Sequence, residues 1–147
     1  MTHDNDIVTQ ALQILRSQLQ ERDVMLNDVQ SVIDFVTLNL ATQEREVFAV
    51  LLLDTRHRLI EYKELFYGTI DKATVFPREV LRAALLANAA AVILAHNHPS
   101  GVAEPSQADI NMTRKLAALL AEIDVRVLDH VIVGGGYGIS LAGRGLL

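Results

Sequence analysis

Residues 92–111 read VILAHNHPSGVAEPSQADIN, an apolar run followed by two histidines, a turn and a polar segment. Alternate residues of a strand point to the same face, so a strand here projects His96 and His98 together. Ser106 then suits the N-cap of a following helix, and Asp109 lies in the first turn of that helix. The stretch therefore predicts a buried strand that ends in a polar site, a loop, and a helix that begins beside that site.

Two neutral imidazoles on one face form a partial ligand set for a borderline ion such as Zn²⁺. The loop PSGVAEP can fold back and bring Asp109 to the strand end as a third ligand. Two histidines and one carboxylate leave the fourth tetrahedral position to water, which is typical of catalytic zinc sites. Each part also has a structural explanation, because Ser106 and Asp109 fit a capping box and PSG is ordinary turn chemistry.

Apolar periodicity in the rest of the chain predicts helices followed by an α/β body. The body has the order β-β-α-β-α-β-β, which suggests a mixed sheet with helices on both faces. The predicted helices run from Asp6 to about Gln20, from an N-cap at Asn27, from Pro77, and from Ser106. The predicted strands are VFAVLLLD, LIEYKELF, AVILAHNH, VRVLDHVIV and, after a GGGYG turn, ISLAG.

Composition narrows the class of protein. The 147 residues are 50% hydrophobic, enough for one domain with a sizeable core. The net charge of −5 argues against a broad grip on nucleic acid, and the absence of cysteine excludes disulfides and thiolate metal sites. A signal peptide and a membrane-spanning run are not recognisable, so we expect a cytoplasmic protein. A homo-oligomer is compatible with the sequence.

The segment HNHPSGVAEPSQAD matches the JAMM metalloprotease motif, His-x-His-Pro followed by Ser-x-x-Asp with ten residues between the second histidine and the aspartate. With REVFAVLLLDTRHRLI, VFPREV, NAAAVILAHNHPSG and VLDHVIVG, residues 41–147 resemble the RadC family, the bacterial branch of the JAB/MPN fold. The resemblance implies a cytidine-deaminase-like, three-layer α/β/α domain over 41–147. A helical segment over 1–40 would precede it.

The resemblance also implies a site. His96, His98 and Asp109 match the ligands of one Zn²⁺ per chain, Glu46 matches the glutamate that activates water, and Ser106 matches the serine that stabilises the oxyanion. The implied function is a JAMM-type zinc metalloprotease that cleaves a peptide or isopeptide amide in an unknown protein substrate. The alternative is a non-catalytic, metal-binding JAB module associated with DNA repair or mobile elements. A zinc deaminase would want a Cys-x-x-Cys pair.

Some questions stay open at this point. The residues alone do not choose Glu46 over Glu44, Glu79 or Glu104 as the base. His130 is predicted to be a satisfied sheet histidine, with a role beside the metal ligands as the alternative. The helix-hairpin-helix module of many RadC proteins is expected to be absent, because residues 1–40 contain no glycine and are acidic.

Overall fold

The computed structural model of this chain describes residues 2–21, 26, 28–68 and 74–147. Within these ranges the chain forms four α-helices, five strands and a short 3₁₀-helix. They are, in chain order, α1 (Thr2–Glu21), α2 (Val29–Leu40), β1 (Val47–Leu53), β2 (Leu59–Tyr67), α3 (Pro77–Leu86), β3 (Ala91–Asn97), α4 (Gln107–Ala121), β4 (Arg126–Gly134), β5 (Tyr137–Ser140) and the 3₁₀-helix Ala142–Arg144.

The strands form one mixed sheet in the order β2-β1-β3-β4-β5. β1 runs antiparallel to both β2 and β3, β3 runs parallel to β4, and β4 pairs antiparallel with β5. Every residue of β1 and of β3 is buried, as expected for the near-continuous apolar runs from which these strands were predicted.

Helices cover both faces of the sheet. On one face, Phe35 and Val36 of α2 pack against the odd-numbered side chains of β1 and β3. On the other face, Val80 of α3 and Leu116 of α4 pack against the even-numbered side chains. The predicted three-layer α/β/α architecture with a mixed sheet is therefore confirmed. His96 continues the even-numbered series of β3, so it faces α3 and α4.

Three predicted boundaries were wrong in detail. α1 begins at Thr2, because the polar residues before Asp6 continue the helix without an apolar signal. Asn27 lies outside the described residues, and the N-cap of α2 is Asp28, whose side chain accepts from the backbone N–H of Gln30.

The last strand was also displaced. Gly135 and Gly136 alone form the hairpin turn, with φ of 60° and 82°, so β5 begins at Tyr137. Of the predicted strand ISLAG, only its first two residues are in β5, and the 3₁₀-helix begins at Ala142.

The N-terminal helices differ in their burial. α2 contributes four large apolar side chains to the core, whereas Ile7 and Ile14 of α1 are more than half exposed. Among the described residues, no helix combines the length and apolar character needed to cross a membrane. The domain boundary at residue 40 stays a prediction.

Candidate metal centre

Three separate segments of the chain meet at the carboxyl end of β3. His96 and His98 project from that strand end with their Nε2 atoms 2.9 Å apart. The carboxylate of Asp109, in the first turn of α4, lies 3.4 Å from Nε2 of His96 and 3.3 Å from Nε2 of His98. Glu46, directly before β1, lies 3.7 Å from Nε2 of His96. The structure thus places two imidazoles and two carboxylates around one point.

Strand register explains the position of Glu46. β1 and β3 pair with Phe48 opposite His96, and continuing this register by two residues brings Glu46 opposite His98. Asn97, on the other face of β3, then ties the segment before β1 to the sheet. Its Oδ1 accepts from the N–H of Val47 at 2.7 Å, and its Nδ2 donates to the carbonyl of Arg45 at 3.1 Å. The Asn97 side chain therefore fixes the backbone on both sides of Glu46, the base that the resemblance predicts.

Asp109 caps α4 and also turns its carboxylate toward the histidines. Ser106 and Asp109 form a complete capping box, in which Ser106 Oγ accepts from the N–H of Asp109 and Asp109 Oδ2 accepts from the N–H of Ser106. α4 is fixed on the sheet by the fully buried Leu116 and Leu120. The cap locks the rotamer in which the Asp109 carboxylate faces the histidines, so the capping and ligand interpretations are compatible.

The loop between β3 and α4 is shaped by contact with the β4–β5 hairpin. Gly101 has a φ of 90°, and a side chain at Gly135 would come within 2.5 Å of the Gly101 carbonyl oxygen. The hydroxyl of Tyr137 accepts from the N–H of Ala103 at 3.0 Å. Gly101 and Gly135 are thus required where the hairpin and the loop touch. The predicted hairpin turn lies within GGGYG, at its second and third glycines.

The four side chains differ in their access to solvent. His96 is only 2% exposed and forms the floor of the site, while Glu46, His98 and Asp109 are 12–18% exposed. His98 Nδ1 lies 2.8 Å from the Val102 carbonyl, which can only accept, so Nδ1 carries a proton. In neutral His98 the Nε2 lone pair therefore points to Asp109. A small molecule can reach the site from the side of these three residues.

The surroundings of the site shift the pKa values of Asp109, His98 and His130. Burial alone would raise the pKa of Asp109, but the adjacent imidazole groups of His96 and His98 outweigh it and hold that pKa far below its usual range. The hydrogen bond to Asp109 raises the pKa of His98 against the opposing effect of its partial burial. Complete burial, reinforced by the neighbouring His96, lowers the pKa of His130 well below its usual value and keeps that ring neutral. The Asp109 carboxylate is therefore stabilised as an anion beside the imidazole nitrogens.

The donor set could hold a metal ion. Glu46, His96 and His98 offer ligand atoms within 4.8 Å of one another, a grouping that could hold a metal. That group contains Glu46 and not Asp109, although Asp109 is the nearer carboxylate to His96, at 3.4 Å against 3.7 Å for Glu46. The assignment of Asp109 as ligand and Glu46 as base stays a prediction. Tetrahedral ligands of zinc stand about 3.3–3.4 Å apart, given bonds of about 2.0–2.1 Å. The two observed carboxylate–imidazole separations match that spacing, whereas the 2.9 Å between the two Nε2 atoms is shorter.

The other three glutamates that the sequence left as candidate bases lie away from the histidines. Glu44 is exposed in the segment before β1, where it lines a cleft with α1 on the opposite side of the sheet. Glu79 lies 4.0 Å from Arg82 on α3, and Glu104 forms an ion pair with Arg144. Each of these three has a position or partner away from the histidines.

Three buried polar residues support the site, Asn97, Thr113 and His130. Sequence reasoning missed Asn97 and Thr113, and it gave His130 a role beside the metal ligands only as the alternative. A polar residue inside an apolar strand was the available signal for Asn97 and His130. For Thr113 the signal was its position four residues after Asp109, on the same helical face.

The chain matches known proteins along most of its length. The model of the family described as the RadC-like JAB domain matches residues 26–146. A UPF0758 protein of Marinomonas sp. is 56% identical over 139 residues, covering 92% of this chain and 62% of that protein. A UPF0758 protein of Marinobacter nauticus is 65% identical over 113 residues, covering 77% of this chain and 50% of that protein. The chain thus spans between half and about three fifths of these relatives.

Proposed function

We propose that this chain, which belongs to the RadC-like JAB domain family, is a zinc-dependent hydrolase of the JAMM type acting on a peptide or isopeptide amide. The observation that carries the proposal is the second carboxylate. His96, His98 and Asp109 suffice to hold the ion with one position open, and Glu46 stands beside them 3.7 Å from the nearest imidazole nitrogen. A purely structural zinc site closes its coordination shell and needs no such group.

We assign the roles from the family resemblance together with the positions of the side chains. When bound, Zn²⁺ supplies Lewis acidity and lowers the pKa of water from about 15.7 to about 7. Glu46 accepts a proton from the water that attacks the amide carbonyl and passes it to the leaving nitrogen. The carbon–nitrogen bond then breaks, giving a carboxylate and an amine with no other reactant consumed. Asp109, held by its capping box, keeps its carboxylate on the histidine side.

We assign to Ser106 the stabilisation of the oxyanion. Its Oγ accepts from the N–H of Asp109 at 3.0 Å, so its own proton remains available to donate to the developing negative charge on the carbonyl oxygen. Because Ser106 is exposed at the start of α4, substrate can approach that proton. A protein or peptide partner suits a chain with a net charge of −5 better than a phosphate backbone does.

The test is a cleavage screen with a matched variant. The zinc-loaded protein is incubated with a proteome-derived peptide library and a panel of isopeptide-linked peptides, and products are read by mass spectrometry. Glu46→Gln preserves the side-chain shape but cannot accept a proton. We expect the variant to keep its zinc and to cleave about 10²–10⁴-fold more slowly than the wild type.

Two outcomes would contradict the proposal. Equal cleavage of a confirmed substrate by wild type and Glu46→Gln would remove Glu46 as the base. A zinc-loaded wild type that cleaves neither the library nor the isopeptides would favour the non-catalytic module, whose metal stabilises a binding surface.

A further inference from the structure

His130 lies under the metal centre with both ring nitrogens engaged inside the protein. Its Nε2 is 2.7 Å from Nδ1 of His96, and its Nδ1 is 2.6 Å from Oγ1 of Thr113. Both His130 and Thr113 are fully buried, so water does not compete for these contacts. The same Thr113 hydroxyl lies 2.7 Å from the backbone carbonyl oxygen of Asp109.

The direction of each hydrogen bond follows from the single proton of the hydroxyl. A carbonyl oxygen can only accept, so Thr113 donates to Asp109 and must accept from Nδ1–H of His130. Neutral His130 then has a bare Nε2, which accepts from Nδ1–H of His96. Neutral His96 consequently has a bare Nε2, the atom that faces His98 and both carboxylates.

If the hydrogen bonds ran in the opposite direction, His96 could not offer its Nε2 lone pair to a metal ion. If Thr113 donated to His130, then His130 Nε2–H would donate to His96, and the proton of His96 would sit on Nε2 among the proposed ligands. The hydroxyl and the Asp109 carbonyl would also face each other at 2.7 Å with no proton between them. A buried pair of that kind carries a desolvation penalty without a compensating bond.

We propose that His130, oriented by Thr113, is a positioning residue that holds His96 in the tautomer whose Nε2 lone pair faces the metal centre. The inference rests on the proposed function, since it takes His96 to be a metal ligand. Partners of this kind fix ring orientation and tautomer, and their loss typically costs about 10–100-fold in metal affinity. Here the final anchor is a helix carbonyl next to the Asp109 side chain, so one hydrogen-bond chain orients a ligand from β3 against α4.

Thr113 offers a gentler test than removal of the buried imidazole, which would leave a cavity. Thr113→Val replaces the hydroxyl with a methyl group of similar size, and Thr113→Ser keeps the hydroxyl as the matched control. Zn²⁺ is titrated into each metal-free protein by calorimetry, and urea unfolding of the same samples measures stability. Long-range ¹H–¹⁵N spectra report which nitrogen of His130 carries the proton, a signature that packing alone does not move.

The wild type and Thr113→Ser should carry the His130 proton on Nδ1 and bind zinc alike. Thr113→Val should populate both tautomers and bind zinc about 10–100-fold more weakly. A His130 proton on Nε2 in the wild type, or unchanged zinc affinity in folded Thr113→Val, would overturn the inference while leaving the proposed function standing. A wild type that binds no zinc would instead remove the proposed function and this inference with it.

Discussion

Asp54 closes the turn between β1 and β2 with hydrogen bonds to both sides of the turn. Its Oδ1 accepts from the N–H groups of Arg56 and Arg58, and its Oδ2 accepts from the Arg58 guanidinium at 2.7 Å. Partial burial raises the pKa of Asp54, but the hydrogen bonds from Arg58 and Arg56 outweigh it and lower that pKa below 3.8. The folded state therefore favours the carboxylate, and its contribution to stability is lost as the pH falls through the folded-state pKa.

The direction of this pH dependence gives a prediction for Asp54→Ala. At pH 7 the variant should lose about 1 kcal/mol of unfolding free energy, because the turn amides lose their acceptor while the partly solvated ion pair adds little. The difference from wild type should hold down to about pH 5 and shrink below the unfolded-state value of 3.8. Urea unfolding between pH 7 and pH 3 measures it, with Asp54→Asn as the uncharged control. A gap that does not change with pH would contradict this account.

At the scale of the element, the residues at the end of β3 make contacts on both faces of the sheet. His96 and His98 face the metal centre, while Asn97 on the opposite face holds the segment that carries Glu46. Strand alternation produces this division directly. Three consecutive residues thus supply two of the proposed metal ligands and the side chain that holds the segment of the proposed base.

Asn97→Ala should destabilise the fold by about 1–3 kcal/mol, because the buried N–H of Val47 loses its acceptor and the Arg45 carbonyl loses its donor. Chemical denaturation compares the variant with Asn111→Ala, an exposed asparagine on α4. That control should change stability by no more than about 0.5 kcal/mol. An Asn97 variant as stable as the control would show that the clamp contributes nothing.

The parts of the site that follow from local pattern could be predicted from the sequence. Alternation put His96 and His98 on one face, and the capping residue Ser106 fixed where α4 begins and so where Asp109 falls. Glu46 could not be derived in this way, because its position depends on the pairing of Phe48 with His96 across the sheet. That register is a long-range property, and only the family resemblance supplied it.

The contacts of the supporting residues could not be derived for the same reason. His130 meets His96 because β3 and β4 pair in parallel with Leu94 beside His130, and Thr113 meets His130 because α4 packs on that face. Both contacts join residues that are far apart in the sequence. The predicted boundaries erred by a few residues where polar helix ends or glycines carry little apolar signal, as before Asp6 and after Gly136.

For the whole molecule, the fold brings together residues from 46 to 130 that are far apart in the chain. The mixed sheet supplies the floor with His96, α4 supplies Asp109, and the segment before β1 supplies Glu46. Binding of a metal ion by His96, His98 and Asp109 should therefore tie the end of β3 to α4, and zinc should stabilise the folded state by mass action. The chain spans only part of its relatives, so substrate choice in a longer protein remains a proposal.

Calorimetric titration of Zn²⁺ into metal-free protein tests the central claim most directly. The wild type is compared with the His96→Ala, His98→Ala double variant, and circular dichroism checks that both are folded. We predict one Zn²⁺ per chain for the wild type and loss of that binding in the double variant, because the two imidazoles supply most of the neutral donor atoms of the site. Zinc binding of equal affinity and stoichiometry in a folded double variant would contradict the account.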